Sequence, residues 1–155
     1  MKTNWKLRII CWAIPLAAGA LSALLAGGMD IYKTLNQPPL SPPGWVFPVV
    51  WTILYLLMGE ASYRVLVSGA EKSKIRSALI AYGVQLVLNV LWSPVFFGLQ
   101  WYLAAFILLL VLLGAIFVTM RLFYNIDERS GDLLIPYFLW VTFAGYLNLG
   151  VFLLN

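Results

Sequence analysis

Residues 38–63 read PPLSPPGWVFPVVWTILYLLMGEASY, and this stretch decides the fold. Pro38, Pro39, Pro42 and Pro43 predict a stiff, extended approach with few backbone donors. Gly44 then releases the chain into a long apolar helix. That helix tolerates Pro48 in its first turn, because the first N–H groups of a helix have no intrahelical acceptor. From there Trp51, Tyr55, Gly59 and Ser62 recur at spacings of four, four and three, which puts them on one helical face. That face is the first candidate for a binding wall.

The rest of the chain has the same character. Of 155 residues 63% are apolar, 10% are charged and none is histidine, a usage far from that of water-soluble domains. Four more apolar stretches flank the first, so the expected fold is an all-α integral membrane protein, a five-transmembrane-helix bundle forming one domain over residues 1–155. The helices are expected at about residues 7–27, 45–67, 77–98, 101–124 and 133–154, each about 30–36 Å long at 1.5 Å per residue. Lys2, Lys6 and Arg8 precede the first span, which is read as retained because its apolar run exceeds that of a signal peptide. Within it Gly19, Ala23 and Gly27 form a small-residue series suited to close helix approach, and Pro15 predicts a mild kink.

Without histidine, the commonest metal ligand and the commonest acid–base group at neutral pH are missing, which excludes Ser-His hydrolysis and His-ligated metal chemistry. The single Cys11 forms no intrachain disulfide and reads as a small buried hydrophobe. No nucleic-acid partner and no cofactor is expected; the partner that composition dictates is the lipid bilayer.

Polar residues inside the spans are few and therefore informative. Gln85, Asn89 and Trp92 share one face of the third span, and uncharged amides at that depth need partners, so the face is expected to look inward. Glu60 and Arg64 are spaced for an ion pair along one helix near the membrane edge; read otherwise, Glu60 would serve a proton-coupled exporter. Only Leu99 and Gln100 separate the third and fourth spans, predicting a tight hairpin, and the fourth reads as a packing or lipid-facing helix. Residues 71–76 and 125–132 (NIDERSGD) read as charged loops. On the fifth span Trp140, Ala144 and either Leu147 or Asn148 share a face, the small Ala144 leaving space beside Trp140.

Basic residues set the expected orientation. Nine of the ten Lys and Arg fall on the side of the N-terminus and of the second and fourth loops, with only Lys33 opposite. The positive-inside rule places the N-terminus in the cytoplasm, the C-terminus outside, and the proline-rich loop outside over the mouth of a pocket, in the cell membrane.

Three blocks, PPGWVFPVVWTILYLLMG (42–59), QLVLNVLWSPVFFG (85–98) and PYFLWVTFAGYLN (136–148), resemble the translocator protein family, also called tryptophan-rich sensory or peripheral benzodiazepine receptor-like proteins. The resemblance covers nearly the whole chain. It implies a five-helix bundle, a homodimer, and a pocket for porphyrins such as protoporphyrin IX and for benzodiazepine- and isoquinoline-type ligands. By matching motif the pocket residues would be Trp51, Asn89, Trp92, Trp140 and Ala144, with Tyr32, Pro42 and Trp45 near the mouth and Tyr55 deeper.

The resemblance also implies, for bacterial members, a light- and oxygen-dependent degradation of protoporphyrin. No acid, base or nucleophile constellation accompanies it, so the indoles of Trp51 and Trp140 are the expected reactive groups. The alternative is a tetrapyrrole or small-molecule transporter or stress sensor without catalysis. Ile31, Gln37 and Leu40 stand where members often carry Trp, Lys and Trp, and Glu60 stands where an uncharged residue is usual. No Lys or Arg follows Tyr146, so the sterol motif of animal members is absent, and the lack of a basic tail after the fifth span implies a bacterial member.

Overall fold

The computed structural model describes residues 2–155. Among them five helices are long and apolar enough to cross a membrane: Trp5–Ala26, Val46–Leu66, Lys72–Gly98, Tyr102–Ile126 and Glu128–Leu154. We name α1 (Trp5–Ala26), α2 (Val46–Leu66), α3 (Lys72–Ser93), α4 (Tyr102–Ile126), α5 (Glu128–Leu133) and α6 (Ile135–Leu154), α5 being a short prelude to the last span.

Local chemistry explains the ends. The Asn4 side chain accepts from the Leu7 amide at 3.1 Å and caps α1, while Gly27, at φ 77°, closes it in the left-handed conformation that glycine adopts without strain. Pro15 lies buried inside α1 without breaking it. Pro94, which has no amide hydrogen to donate, ends the regular part of α3, and the chain widens into a π-helical turn over Pro94–Gly98 that buries Phe96 and Phe97.

Close backbone packing joins α1 to α2 and α3, α3 to α4, and α4 to α6. Between α2 and α6 aromatic rings mediate the contact: Phe47 meets Trp140 with centroids 5.8 Å apart, and Trp51 meets Tyr137 at 6.2 Å. The lower half of α2 is the most enclosed part of the bundle, with Met58, Ala61 and Val65 fully buried. There α1 and α2 touch directly, since a Cβ on Gly59 would fall 2.6 Å from the Cys11 carbonyl oxygen and 2.7 Å from Trp12 Cα.

Several expectations are corrected. Glu60 pairs with Arg8 of α1, not with Arg64, and also accepts from Trp12 Nε1 at 3.2 Å. Arg64 turns the other way, to Asp127, at 3.0 Å. Tertiary partners thus take both members of the supposed pair, tying α2 to α1 on one side and to the α4–α5 junction on the other. The two charged loops are mostly helix. Helix α3 starts at Lys72, directly after Glu71, because nothing between Lys72 and Ser93 breaks a helix. In NIDERSGD only Asp127 is non-helical: it caps α5, its carboxylate accepting from the Arg129 amide at 3.0 Å. Helix α4 packs through Ala105, Leu109, Leu112, Ile116, Thr119 and Phe123, buried along its length, and leaves Leu103, Ile107, Leu110 and Val111 exposed.

The first loop folds onto the ends of the helices. It contains a 3₁₀ turn at Asp30–Thr34. The prolines that follow are not one extended run: the chain turns at Leu40, which holds φ 69° and lies 85% exposed. Such a conformation is costly for a residue with a Cβ, and it is fixed by neighbours on both sides. Ser41 Oγ donates to the Pro38 carbonyl at 2.7 Å, and Tyr146 Oη on α6 donates to the Pro39 carbonyl at 2.7 Å.

Candidate functional site

The folded loop closes one end of a cavity of about 350 Å³ inside the upper half of the bundle. Leu16, Gly19, Ala20, Ser22, Ala23 and Ala26 of α1 form one wall; Phe47, Pro48, Trp51, Thr52 and Tyr55 of α2 form the next. The remainder comes from Asn89, Trp92 and Ser93 of α3, Phe97 of the π-helical turn, Leu109 and Leu112 of α4, and Val141 and Ala144 of α6. Gly28 and Met29 close the top. The wall is apolar and aromatic with a few polar atoms, as in sites for drug-sized ligands.

The phenol of Tyr55, the amide of Asn89 and the indole of Trp92 are each held by a partner. Tyr55 Oη donates to Asn89 Oδ1 at 2.8 Å, Asn89 Nδ2 donates to Tyr137 Oη at 2.8 Å, and Tyr137 Oη donates to Gln85 Oε1 at 2.7 Å. The chain of bonds fixes the Asn89 amide at the cavity floor, where an unpartnered polar group surrounded by hydrocarbon would cost several kcal/mol, roughly 2–7. Trp92 Nε1 donates to Asn148 Oδ1 at 3.0 Å, and Asn148 Nδ2 donates to the Tyr102 carbonyl at 2.8 Å. Trp51 stacks on Tyr55 with centroids 5.5 Å apart, and one turn further Tyr55 lies against Gly19, where any Cβ would collide with its ring.

Of the residues singled out in the sequence, Trp51, Tyr55, Asn89, Trp92 and Ala144 lie together on the cavity wall. Four do not. Trp140 stands behind Phe47, itself a wall residue, and its indole N–H is buried without a partner. Tyr32 is buried in the loop, edge-on to Phe47 at 5.1 Å, and donates from Oη to the Pro42 carbonyl at 2.6 Å. Burial raises the Tyr32 pKa above the usual tyrosine value, against a smaller lowering by Ser41, so the hydroxyl stays a protonated donor at neutral pH. Pro42 contributes only that carbonyl, and Trp45 caps α2 with 69% of its surface exposed. On the proposed wall of α2 the lower residues also depart: Gly59 packs on α1, and Ser62 Oγ donates to the Gly59 carbonyl at 2.8 Å.

Sequence reasoning missed the α1 wall. Gly19 and Ala23 were expected to admit a neighbouring backbone; they leave room instead for the Tyr55 ring and for the cavity. Ser22 Oγ donating to the Val90 carbonyl at 2.8 Å is the anchor that turns this face inward. A lone buried serine in an apolar span was its only sequence signal.

Five apolar spans around an aromatic-lined cavity define a multi-pass membrane protein built on a binding-pocket architecture. Comparison with known proteins gives it a family. The TspO/MBR family matches residues 11–154, and the chain belongs to it. A tryptophan-rich protein TspO of Chlorobaculum tepidum is 38% identical over 146 residues, covering 94% of this chain and 91% of that protein. The tryptophan-rich sensory protein of Cereibacter sphaeroides is 37% identical over 155 residues, 100% of this chain and 95% of its own. The translocator protein of Bos taurus is 34% identical over 139 residues, with 87% and 82% covered. A receptor- or sensor-like role in the membrane follows from this membership.

Proposed function

We propose that the cavity binds a flat, largely apolar ligand with polar or anionic edges, a porphyrin such as protoporphyrin IX, and admits benzodiazepine- and isoquinoline-type compounds to the same place. The observation that carries this reading is the composition of the wall: the ring faces of Trp51, Tyr55, Trp92 and Phe97 beside one fixed amide, Asn89. Aromatic faces stack on a macrocycle, and the amide supplies an orienting polar contact. The unpartnered Trp140 N–H behind Phe47 offers a donor to a carboxylate edge once that phenyl ring turns. The family resemblance supports a homodimer in the cell membrane, and the charge split supports a cytoplasmic N-terminus.

A second reading, light-driven degradation of the bound porphyrin, is favoured by the position of Trp51, an oxidisable indole on the cavity wall. Protoporphyrin IX titrated into the purified protein, first in darkness and then under light with oxygen, separates the two. Saturable dark binding with photochemical loss no faster than that of free porphyrin in detergent leaves a receptor without turnover. Faster loss, slowed by Trp51→Phe more than by Trp140→Phe because Phe47 screens Trp140, supports turnover. Absence of saturable binding contradicts both.

A further inference from the structure

The cavity has a second boundary besides the loop. Ala20 and Ala23 of α1 and Pro48 and Thr52 of α2 line it and all four are exposed, as is Gly28 at the upper end of the same wall. A residue that is both wall and surface marks an opening, and these four face one another across the α1–α2 seam.

The seam opens because α1 changes neighbours along its length. Its lower half is bound to α2: Gly59 abuts Cys11 and Trp12, Arg8 pairs with Glu60, and the Asn4 amide donates to Tyr63 Oη at 3.1 Å. Its upper half leans on α3 instead, through Ser22 Oγ to the Val90 carbonyl at 2.8 Å and through Gly98, whose Cβ position lies 3.6 Å from the Ala26 carbonyl oxygen. Between these attachments the helices part above Tyr55, and the facing residues are small. Around the slot Leu21 and Leu24 of α1 and Val49 and Ile53 of α2 are exposed, an apolar rim suited to acyl chains. Ala23 lies three residues and Thr52 six residues inside the helix ends, about 5–9 Å along the axis and within the apolar spans.

The route under the loop is closed by contrast. Pro38 packs on Gly150, Tyr146 holds the Pro39 carbonyl, Gln37 Nε2 donates to the Tyr32 carbonyl at 2.6 Å, and Asn36 and Asn155 exchange hydrogen bonds, the Asn36 amide donating at 3.1 Å and Asn155 Nδ2 at 2.8 Å.

We infer that the cavity exchanges its ligand with the hydrocarbon phase, sideways through the slot between α1 and α2, and not with water beneath the loop. The ligand class is then set by partition: molecules dissolved in the bilayer reach the site, and the loop serves as a fixed lid. This rests on the proposed porphyrin binding for its ligand, but not for its geometry.

The test uses the full chain in lipid nanodiscs. Protoporphyrin IX association and dissociation are followed by tryptophan quenching for the parent, for Ala23→Phe and Thr52→Phe, which fill the slot from opposite walls, and for Tyr146→Phe, which releases the lid from Pro39. Both rate constants are expected to fall tenfold or more in each slot variant and to stay within twofold in Tyr146→Phe. Rates raised by Tyr146→Phe and untouched by both slot variants overturn the inference while leaving porphyrin binding intact. A second arm needs no porphyrin: in bilayers of phosphatidylcholine brominated on the acyl chains, the parent should lose more tryptophan emission than Ala23→Phe, because chains reach Trp51 through the open slot. Equal quenching overturns the inference whether or not porphyrin binds.

Discussion

Tyr55 on α2 and Asn89 on α3 are joined across the floor of the cavity by a 2.8 Å hydrogen bond from the phenol to the amide oxygen. Tyr55→Phe removes the donor and keeps the ring that stacks on Trp51, so the expected loss is about 0.5–1.5 kcal/mol of stability. Asn89→Leu should cost more, since it also strips the Tyr137 hydroxyl of its donor. Thermal unfolding in one detergent checks the order, and an Asn89→Leu protein as stable as the Tyr55→Phe protein would contradict it.

Gly59 sets how closely α1 and α2 approach. Because its Cβ would meet backbone atoms of Cys11 and Trp12, which cannot swing aside, Gly59→Ala should destabilise the bundle by about 1–3 kcal/mol. Gly83, with nothing within 4 Å of its Cβ position, is the matched control. There alanine should be neutral or stabilising by up to about 1 kcal/mol through helix propensity. The same melting experiment reads both, and equal shifts would show that the α1–α2 contact is looser than described.

The ion pair between Arg8 and Glu60 links the first span to the second, and the Arg8 guanidinium also lies 5.1 Å from the Trp5 ring centroid, 5.7 Å from that of Trp12 and 5.2 Å from that of Tyr63. Double-mutant cycles should find stronger coupling of Glu60→Gln with Arg8→Gln than with Arg64→Gln. Coupling concentrated on Arg64 would restore the pair within one helix.

Glu60 shows where sequence reading stops. Five spans were legible because apolar length alone defines them, and the inward turn of Gln85, Asn89 and Trp92 was legible because amides in hydrocarbon must find partners. Spacing along α2 allowed an Arg64 partner, but nothing local could reveal an arginine 52 positions away. Helix α5 was misread through its charge, although Asp127 followed by Glu128 is a helix-start signal that outweighs polarity. The α1 wall was hidden for a different reason: Gly19, Ala20 and Ala23 shape the cavity by leaving space, and small residues look the same whether they admit a helix, a ring or a ligand.

Orientation rests on the nine-to-one division of basic residues. A reporter fused after Asn155 should therefore be active only outside the cytoplasm. Cytoplasmic activity would invert the topology and turn the loop lid inward.

Ala144 is the position where the central claim is most exposed. It is 7% accessible, lies on the cavity wall one turn beyond Trp140, and stands where the buried core meets the open volume. Ala144→Phe should fill that volume at small cost to folding while displacing a macrocycle. The deciding measurement is equilibrium binding of protoporphyrin IX in darkness to the parent and to Ala144→Phe, with thermal unfolding as the control for folding. Saturable binding by the parent, weakened about fivefold or more in the variant as about 1–3 kcal/mol of steric conflict requires, is the predicted result; equal affinity in a folded Ala144→Phe protein would show that the cavity is not the binding site.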